Sequence, residues 1–562
     1  MTADQRYCLL PNLLATVRSV FYLILVGALL LVSQHGFAQS ESIVPTVANE
    51  IKIPNPSLEN NGRGWRIWSL AYRDKGTWPQ EAHSGKVSAL IETSIERQRC
   101  VLVSPGLPQL QPRMKVRITF YAKWLEGDNP VFIGFQVPPD TNRAAWLSLW
   151  KGDIPKDGAW HRIDAEVRVP VFLTNETALE LRIGLPYERQ SMWRKPYTDF
   201  EKCKYLLDDV SVVVLSGPKP VQPQAAVKHS FDQNDPRDDS SRFGVYWTPW
   251  KAYSRTPLTT PLEGDRSKQE IGKELDAMQQ IGVKWIRSIW RWDKIEWNQG
   301  KPDYAFLDYV VEEAWKRGLR FVPCLNTSPR WASTAPEGNA EYHSYPPRMA
   351  DWENFVYETV NHFKPRIKYW ETWNEPNGLY WLGSVEAFYE LQKTAYRSAK
   401  RADPQCRILL GAFSGSGLGY MDQLMRLGAK DYFDLVSVHP YSGRMENFNN
   451  AAFGTRSIRL LLAEYGCEDR PIWFTEIGWP TDMVPDMSTS RRAELLMELY
   501  SYQFHESVEK IFWFPFDTWG QPPPKGPGGL VDTYGDKQER TPAFEAYRKV
   551  TEKASQMKAI SP

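Results

Sequence analysis

Two short stretches hold the residues best suited to chemistry: Trp373-Asn374-Glu375-Pro376 and Phe474-Thr475-Glu476-Ile477-Gly478-Trp479. Each ends an apolar run that reads as a buried strand, and each puts one glutamate where strand gives way to loop. Two carboxylates at strand ends among aromatic rings are the minimal equipment for cleaving a glycosidic bond, because one can protonate the leaving oxygen while the other attacks. A single glutamate so placed reads more simply as an exposed loop carboxylate or half of a surface ion pair. The pair means catalysis only if the fold aims both at one point, so the elements that position them come next.

From Arg242 onward, strand-length apolar runs alternate with helix-period stretches. Strands are expected to begin near Phe243, Val283, Leu319, Ile367, Arg407, Leu435, Pro471 and Lys510. The helical stretches are Lys268–Ile281, Tyr304–Arg317, Asp351–Phe363, Val385–Ala402, Tyr420–Leu427, Arg456–Tyr465, Arg491–Phe504 and Pro542–Ser555. Eight alternating units with strands apolar on both faces predict a (β/α)8 TIM barrel over 242–557, with the glutamates on the fourth and seventh strands. An open doubly wound sheet would alternate in the same way, but no phosphate-cradling glycine loop opens the first unit. In a closed barrel the catalytic groups sit at the carboxyl ends of the strands, which is where Glu375 and Glu476 fall.

The preceding region differs. Residues 50–216 show short alternating segments, such as Lys86–Glu92, Met114–Ala122 and Leu206–Leu215, and predict an all-β jelly-roll sandwich. Residues 217–241, rich in Pro, Gln, Asp and Ser, read as a linker. At the start, Arg6 and Arg18 precede the apolar run Val20–Val32, and Gly36-Phe37-Ala38 offers a signal-peptidase site. Residues 1–38 are therefore expected to be an export signal, leaving a periplasmic or extracellular protein with no membrane span. An uncleaved signal anchor tethering the protein to the membrane is the alternative.

The net charge of +1 over 562 residues argues against a nucleic-acid partner, which would want a concentrated basic face. The 24 tryptophans suit carbohydrate, since sugar rings stack on aromatic faces, although a Trp-rich core accounts for them as well. Of the six cysteines, Cys8 falls in the signal and the others match no zinc spacing; Cys100 and Cys203 are candidates for a pair in the sandwich.

Asn374-Glu375-Pro376, Thr475-Glu476 and Val283-Lys-Trp-Ile-Arg-Ser-Ile-Trp290 resemble clan A glycoside hydrolases over most of 242–550. Trp373-Asn374-Glu375-Pro376-Asn377 and Thr327-Ser-Pro-Arg-Trp331-Ala332 look most like family 39, while Glu476-Ile-Gly-Trp-Pro looks closer to families 5 and 17. The resemblance implies a retaining glycosidase acting on β-linked oligo- or polysaccharide without a catalytic cofactor. It makes Glu375 the acid/base and Glu476 the nucleophile. Asn374 would bind the sugar 2-hydroxyl, Arg287 would keep Glu476 ionised, Tyr441 would orient it, and His439 would shape the subsite. Arg287 has a rival partner in Glu371, in a structural ion pair inside the barrel. Trp331, Trp513 and Trp519 are candidates for a stacking floor, with core packing the alternative for Trp513. A transglycosylase built from the same residues, or a non-catalytic sugar-binding protein on a dead barrel, are the competing readings.

Asn55-Pro-Ser-Leu-Glu59, Gly64-Trp65, His83-Ser-Gly-Lys86 and Leu207-Asp-Asp-Val210 resemble carbohydrate-binding modules of the family 4/9 type. That resemblance implies a possible structural Ca2+ held by Glu59 with Asp208 or Asp209. A helper domain that has lost sugar binding is the other reading of the sandwich.

Overall fold

The computed structural model describes residues 49–69, 77–93, 100–127, 131–136, 150–170, 179–185, 203–217, 231–249, 267–378, 380–415, 417–441, 448–479, 487–505, 508–517, 529–534 and 537–560. The expected export signal, most of the expected linker and Trp519 lie outside these residues. No helix among the described residues is long and apolar enough to cross a membrane.

Strands β1 to β10 form the amino-terminal region: Asn49–Ile51, Arg66–Ser69, Ala89–Thr93, Cys100–Val103, Lys115–Glu126, Val131–Gln136, Trp150–Gly152, Trp160–Arg168, Glu180–Leu185 and Cys203–Ser216. They make two five-stranded sheets, one in the order β1-β10-β5-β8 with β3 also on β10, the other β2-β4-β9-β6-β7. The alternation seen in the sequence is visible in β5 (Lys115–Glu126), where Val116, Ile118, Phe120 and Ala122 are buried and the residues between them face outward. Cys100 and Cys203 are both buried and are not joined by a disulfide.

The carboxyl-terminal part is a closed parallel barrel of β11 to β18: Phe243–Tyr246, Trp285–Arg291, Arg320–Asn326, Tyr369–Thr372, Arg407–Ser414, Leu435–His439, Ile472–Ile477 and Lys510–Trp513. Each strand lies within three residues of its expected start, and β11 pairs with β18 to close the ring. The intervening helices are also where periodicity puts them. The sixth, Phe448–Glu464, begins a full two turns before the expected Arg456. The first is started by a capping box in which Ser267 and Glu270 satisfy each other's backbone N–H.

Period-two alternation stacks the barrel interior in layers. Nearest the amino ends, Trp285, Val322, Tyr369, Leu409, Leu435, Trp473 and Phe512 pack as one apolar cluster. Two residues further along their strands come Arg287, Cys324, Glu371, Ser437 and Thr475, all buried, so the next layer is largely polar. A polar layer over a sealed apolar one leaves charged groups only one open direction, the carboxyl-terminal mouth.

Residues 231–241, the tail of the expected linker, pack beneath the barrel. Asp238 takes Lys368 Nζ at 3.1 Å and the Tyr369 hydroxyl at 2.9 Å, Arg237 pairs with Asp235 at 2.8 Å and with Asp403, and Lys510 Nζ caps the Asp239 and Ser241 carbonyls. Its Asp and Ser residues, which look like solvated linker chemistry, are instead partners for cations at the amino ends of the strands. The sandwich meets the barrel's sixth helix through Glu464, which takes Arg113 Nε at 3.0 Å and Arg168 Nη1 at 3.5 Å.

Candidate active site

Arg287, on β12, points up from the polar layer and is wholly buried. Its guanidinium makes three bonds: Nε to Glu371 Oε2 at 2.7 Å, Nη1 to Glu476 Oε2 at 3.0 Å and Nη2 to Asn374 Oδ1 at 2.7 Å. The two partners that the sequence left as rivals are therefore held at once. Tyr441 donates its hydroxyl to Glu476 Oε1 at 3.2 Å. His439, also wholly buried, places Nδ1 2.9 Å from Glu375 Oε1 and 3.8 Å from Glu476 Oε2. One oxygen of Glu375, one of Glu476 and a ring nitrogen of His439 lie within 4.8 Å of one another. Glu375 and Glu476 are the partly exposed members, at 17% and 13%.

The backbone builds this convergence by leaving regular geometry. β14 ends at Thr372, so Glu375 stands three residues beyond its strand rather than at its last position as read from the sequence. Trp373 (φ 62°) and Glu375 (φ 44°) are left-handed, which breaks the ladder and turns the chain over the mouth. The Glu375 N–H is caught by the Ala412 carbonyl at 3.0 Å, and Ala412 (φ 51°) is itself the bulged residue where the β15–β16 register shifts. Gly411 beside it has φ 112°, and a Cβ there would stand 2.2 Å from the Phe413 ring. At the other carboxylate, a Cβ on Gly478 would lie 1.9 Å from the Phe514 carbonyl, so only glycine lets the loop after β17 settle onto the end of β18. No residue type in 411–412 announces a site; the small pair Gly411-Ala412 at a strand end is the one signal available in the sequence.

Electrostatics separate the carboxylates. Burial drives the Glu476 carboxyl above its ordinary range; Glu375 adds to this, while His439, Arg287 and the Tyr441 hydroxyl oppose it. Burial would raise Glu371 too, but the Arg287 guanidinium, with help from His439, holds it below the usual range. Arg287 stays charged despite burial because Glu371, first among its neighbours, and then Glu476 favour the cation. Burial pushes the Tyr441 phenol far up, with Glu476 and Glu375 adding to it, so this residue acts as a hydrogen-bond donor. Two carboxylates a few ångströms apart, one braced by a guanidinium and a phenol and the other by an imidazole, can serve as nucleophile and proton carrier for one bond.

The aromatic candidates divide. Trp331 is half-buried, donates Nε1 to the Glu296 carbonyl at 3.0 Å and sits edge-on to Trp292. Trp513 is 1% exposed and packs on Trp479, so it belongs to the core and presents no face to a sugar. The expected calcium ligands Glu59, Asp208 and Asp209 lie around one loop. Glu59 Oε1 accepts the Lys86 and Val87 N–H groups, Asp208 accepts those of His83, Ser84 and Asp209, and Asp209 takes the His83 and Ser84 side chains. The three acids clamp the loop around 83–87.

Residues 348–536 match the family model described as glycosyl hydrolase catalytic core, and residues 264–343 match a β-galactosidase model. Among curated proteins the chain is similar to endo-1,4-β-xylanase C of Paenibacillus barcinonensis, at 20% identity over 352 residues; the match covers 58% of this chain and 30% of the relative, so the chain spans under a third of that protein's length. Among solved structures it is similar to a family 39 glycoside hydrolase from Bacteroides cellulosilyticus (15% identity, 79% of this chain, 78% of the other, TM-score 0.46). It is also similar to a family 39 β-xylosidase from Caulobacter crescentus (20% identity, 56% and 72% coverage, TM-score 0.44). The segment of this chain that supplies Asn374, Glu375, His439, Tyr441 and Glu476 thus matches the catalytic core of glycosyl hydrolases.

Proposed function

We propose that this protein is an exported retaining glycoside hydrolase that cleaves β-linked oligo- or polysaccharide by a two-glutamate double displacement. The observation that carries this reading is the approach of Glu375 and Glu476 oxygens to within 4.8 Å, near the ~5 Å that direct nucleophilic attack requires. An inverting pair stands ~6.5–9.5 Å apart to admit a water between acid and base.

In the first step Glu375 gives its proton to the departing glycosidic oxygen while Glu476 attacks the anomeric carbon and forms a glycosyl-enzyme. In the second, water attacks that carbon, gives its proton to the Glu375 carboxylate and releases Glu476. Arg287 and Tyr441 each hold one oxygen of Glu476, fixing its trajectory. Asn374, anchored through its carbonyl to Arg287, keeps its NH2 group available for the sugar 2-hydroxyl, a contact that tightens as oxocarbenium character grows. His439 at 2.9 Å orients Glu375 for transfer toward the aglycone. The Arg6-to-Ala38 leader pattern supports export.

The test is 1H NMR of the first-formed product anomer, on a panel that begins with xylan and aryl β-xylosides because the curated relative is a xylanase. Retention of configuration is expected; inversion would sink the two-step reading. Glu375→Ala should slow glycosides with poor leaving groups on the order of 10²–10⁴-fold and activated aryl glycosides far less. Equal losses on both would remove the acid role.

A further inference from the structure

The double displacement leaves the bond between Arg287 and Glu371 without a task. We propose that Glu371 is a positioning residue for this reaction: its carboxylate fixes the plane of the Arg287 guanidinium, so that one fork reaches Glu476 and Asn374 together, and offsets enough of the cation's charge to keep Glu476 basic. The proposal rests on the reading of Glu476 as the nucleophile.

The geometry makes the case. A guanidinium is a rigid planar fork, so engaging Nε fixes where Nη1 and Nη2 point. With Glu371 Oε2 on Nε at 2.7 Å, the remaining nitrogens meet Glu476 Oε2 at 3.0 Å and Asn374 Oδ1 at 2.7 Å. Without that third anchor the group can rotate and trade one of those contacts for the other. Register explains why Glu371 serves: it lies directly opposite Cys324 on β13 and two residues past the apolar Tyr369, so it enters the polar layer at the height of Arg287.

Charge makes the second half. A nucleophile paired alone with a buried arginine would be held strongly ionised and weakly basic. Here two buried carboxylates share the cation, Glu371 at 2.7 Å and Glu476 at 3.0 Å, so the charge of Arg287 is divided between them. The other groups facing this layer are Tyr246 from β11, Cys324 from β13, Glu375 beyond β14, and His439 and Tyr441 from the end of β16. Burial pushes Tyr246, Cys324 and Tyr441 far up.

The test is carried out on the full chain with Glu371→Gln and Glu371→Asp. Glutamine keeps the shape and removes the charge. The Glu476 carboxyl, followed by 13C NMR and identified by its loss in Glu476→Gln, should titrate about one pH unit lower than in the wild type. The acid limb of kcat/KM should move down with it, and kcat should fall roughly 10-fold with KM within about threefold. Aspartate keeps the charge but draws it back, so kcat should fall while the acid limb stays in place. A Glu371→Gln protein that loses only thermal stability, with titration and acid limb unmoved, overturns the proposal. If Glu371→Gln fails to fold, Glu371→Asp decides, and wild-type kcat there overturns it. Inversion of the product anomer would instead defeat the reading of Glu476, and the NMR titration would still report on the Glu371 charge.

Discussion

The two ends of the barrel each hold buried charge, but they hold it differently. At the amino end, Arg237 and Lys368 meet Asp235, Asp238 and Asp403, and those carboxylates also accept backbone N–H groups from Arg237, Asp232, Asp239 and Gln405. None of those side chains is left with a buried unpartnered polar atom among the described residues. At the carboxyl end one guanidinium serves Glu371 and Glu476, while His439 Nε2, Asn326 Oδ1 and Thr475 Oγ1 are buried without hydrogen-bond partners among the described residues. All four left-handed non-glycine residues of the described barrel, Thr327, Trp373, Glu375 and Ala412, also lie at that end. A satisfied network stabilises the closed barrel; an unsatisfied, strained one keeps groups poised for a substrate and costs stability.

That contrast predicts opposite mutational signatures. The largest effect belongs to Glu476→Ala, expected to lower turnover on the order of 10⁴-fold with the fold intact, measured by kcat alongside circular dichroism. Wild-type rates in that protein would break the contrast outright. At the other end, Lys368→Met leaves buried carboxylates uncompensated and should cost about 3–5 kcal/mol of stability in denaturant melts, with kcat per folded molecule nearly unchanged. A comparable loss of kcat would mean the two ends are coupled.

Tyr441→Phe removes a bond that favours ionised Glu476, so the Glu476 midpoint should rise and, if Glu476 is the proposed nucleophile, the acid limb of kcat/KM should shift to higher pH. An unmoved limb would show that the 3.2 Å contact does not bear on ionisation.

The smallest effects concern pH and stability. Burial works against Asp235, but Arg237 and Lys368 bring its carboxyl down to about 2. Its folded midpoint lies below the unfolded one, so its contribution is full above the ordinary aspartate range and lost as pH falls toward about 2. Glu476 has the opposite sign: its raised midpoint makes the ionised form a burden on the fold at neutral pH. Glu476→Gln should therefore raise the melting temperature at pH 7, by the equivalent of about 1 kcal/mol, with the gain shrinking in acid. A lower melting temperature would show that the carboxyl end is not under tension.

Much of the barrel was legible because its signals are local. Strand starts from Phe243 to Lys510 follow from apolar runs, and helices such as Val385–Ala402 follow from period and caps. Glu375 and Glu476 were legible because each closes such a run. The segment 231–241 was not, because Asp and Ser look the same in a solvated linker and in a buried network whose cations lie over a hundred residues away, as Lys368 does from Asp238. His439 was legible as a strand-end residue, but its contact with Glu375 depends on where β14 ends.

By itself the chain's sequence determined the alternation of strands and helices and the presence of two glutamates following or closing the fourth and seventh apolar runs. Those follow from periods of two and 3.6 residues, which any local window contains. Only the tertiary structure decided that Arg287 holds Glu371, Glu476 and Asn374 together, that a bulge at Ala412 catches Glu375, and that the two catalytic candidates stand within 4.8 Å. These are closures between residues some 40 to 190 positions apart. Their geometry is set by barrel registration and by backbone that departs from regular dihedrals, neither of which a local pattern records.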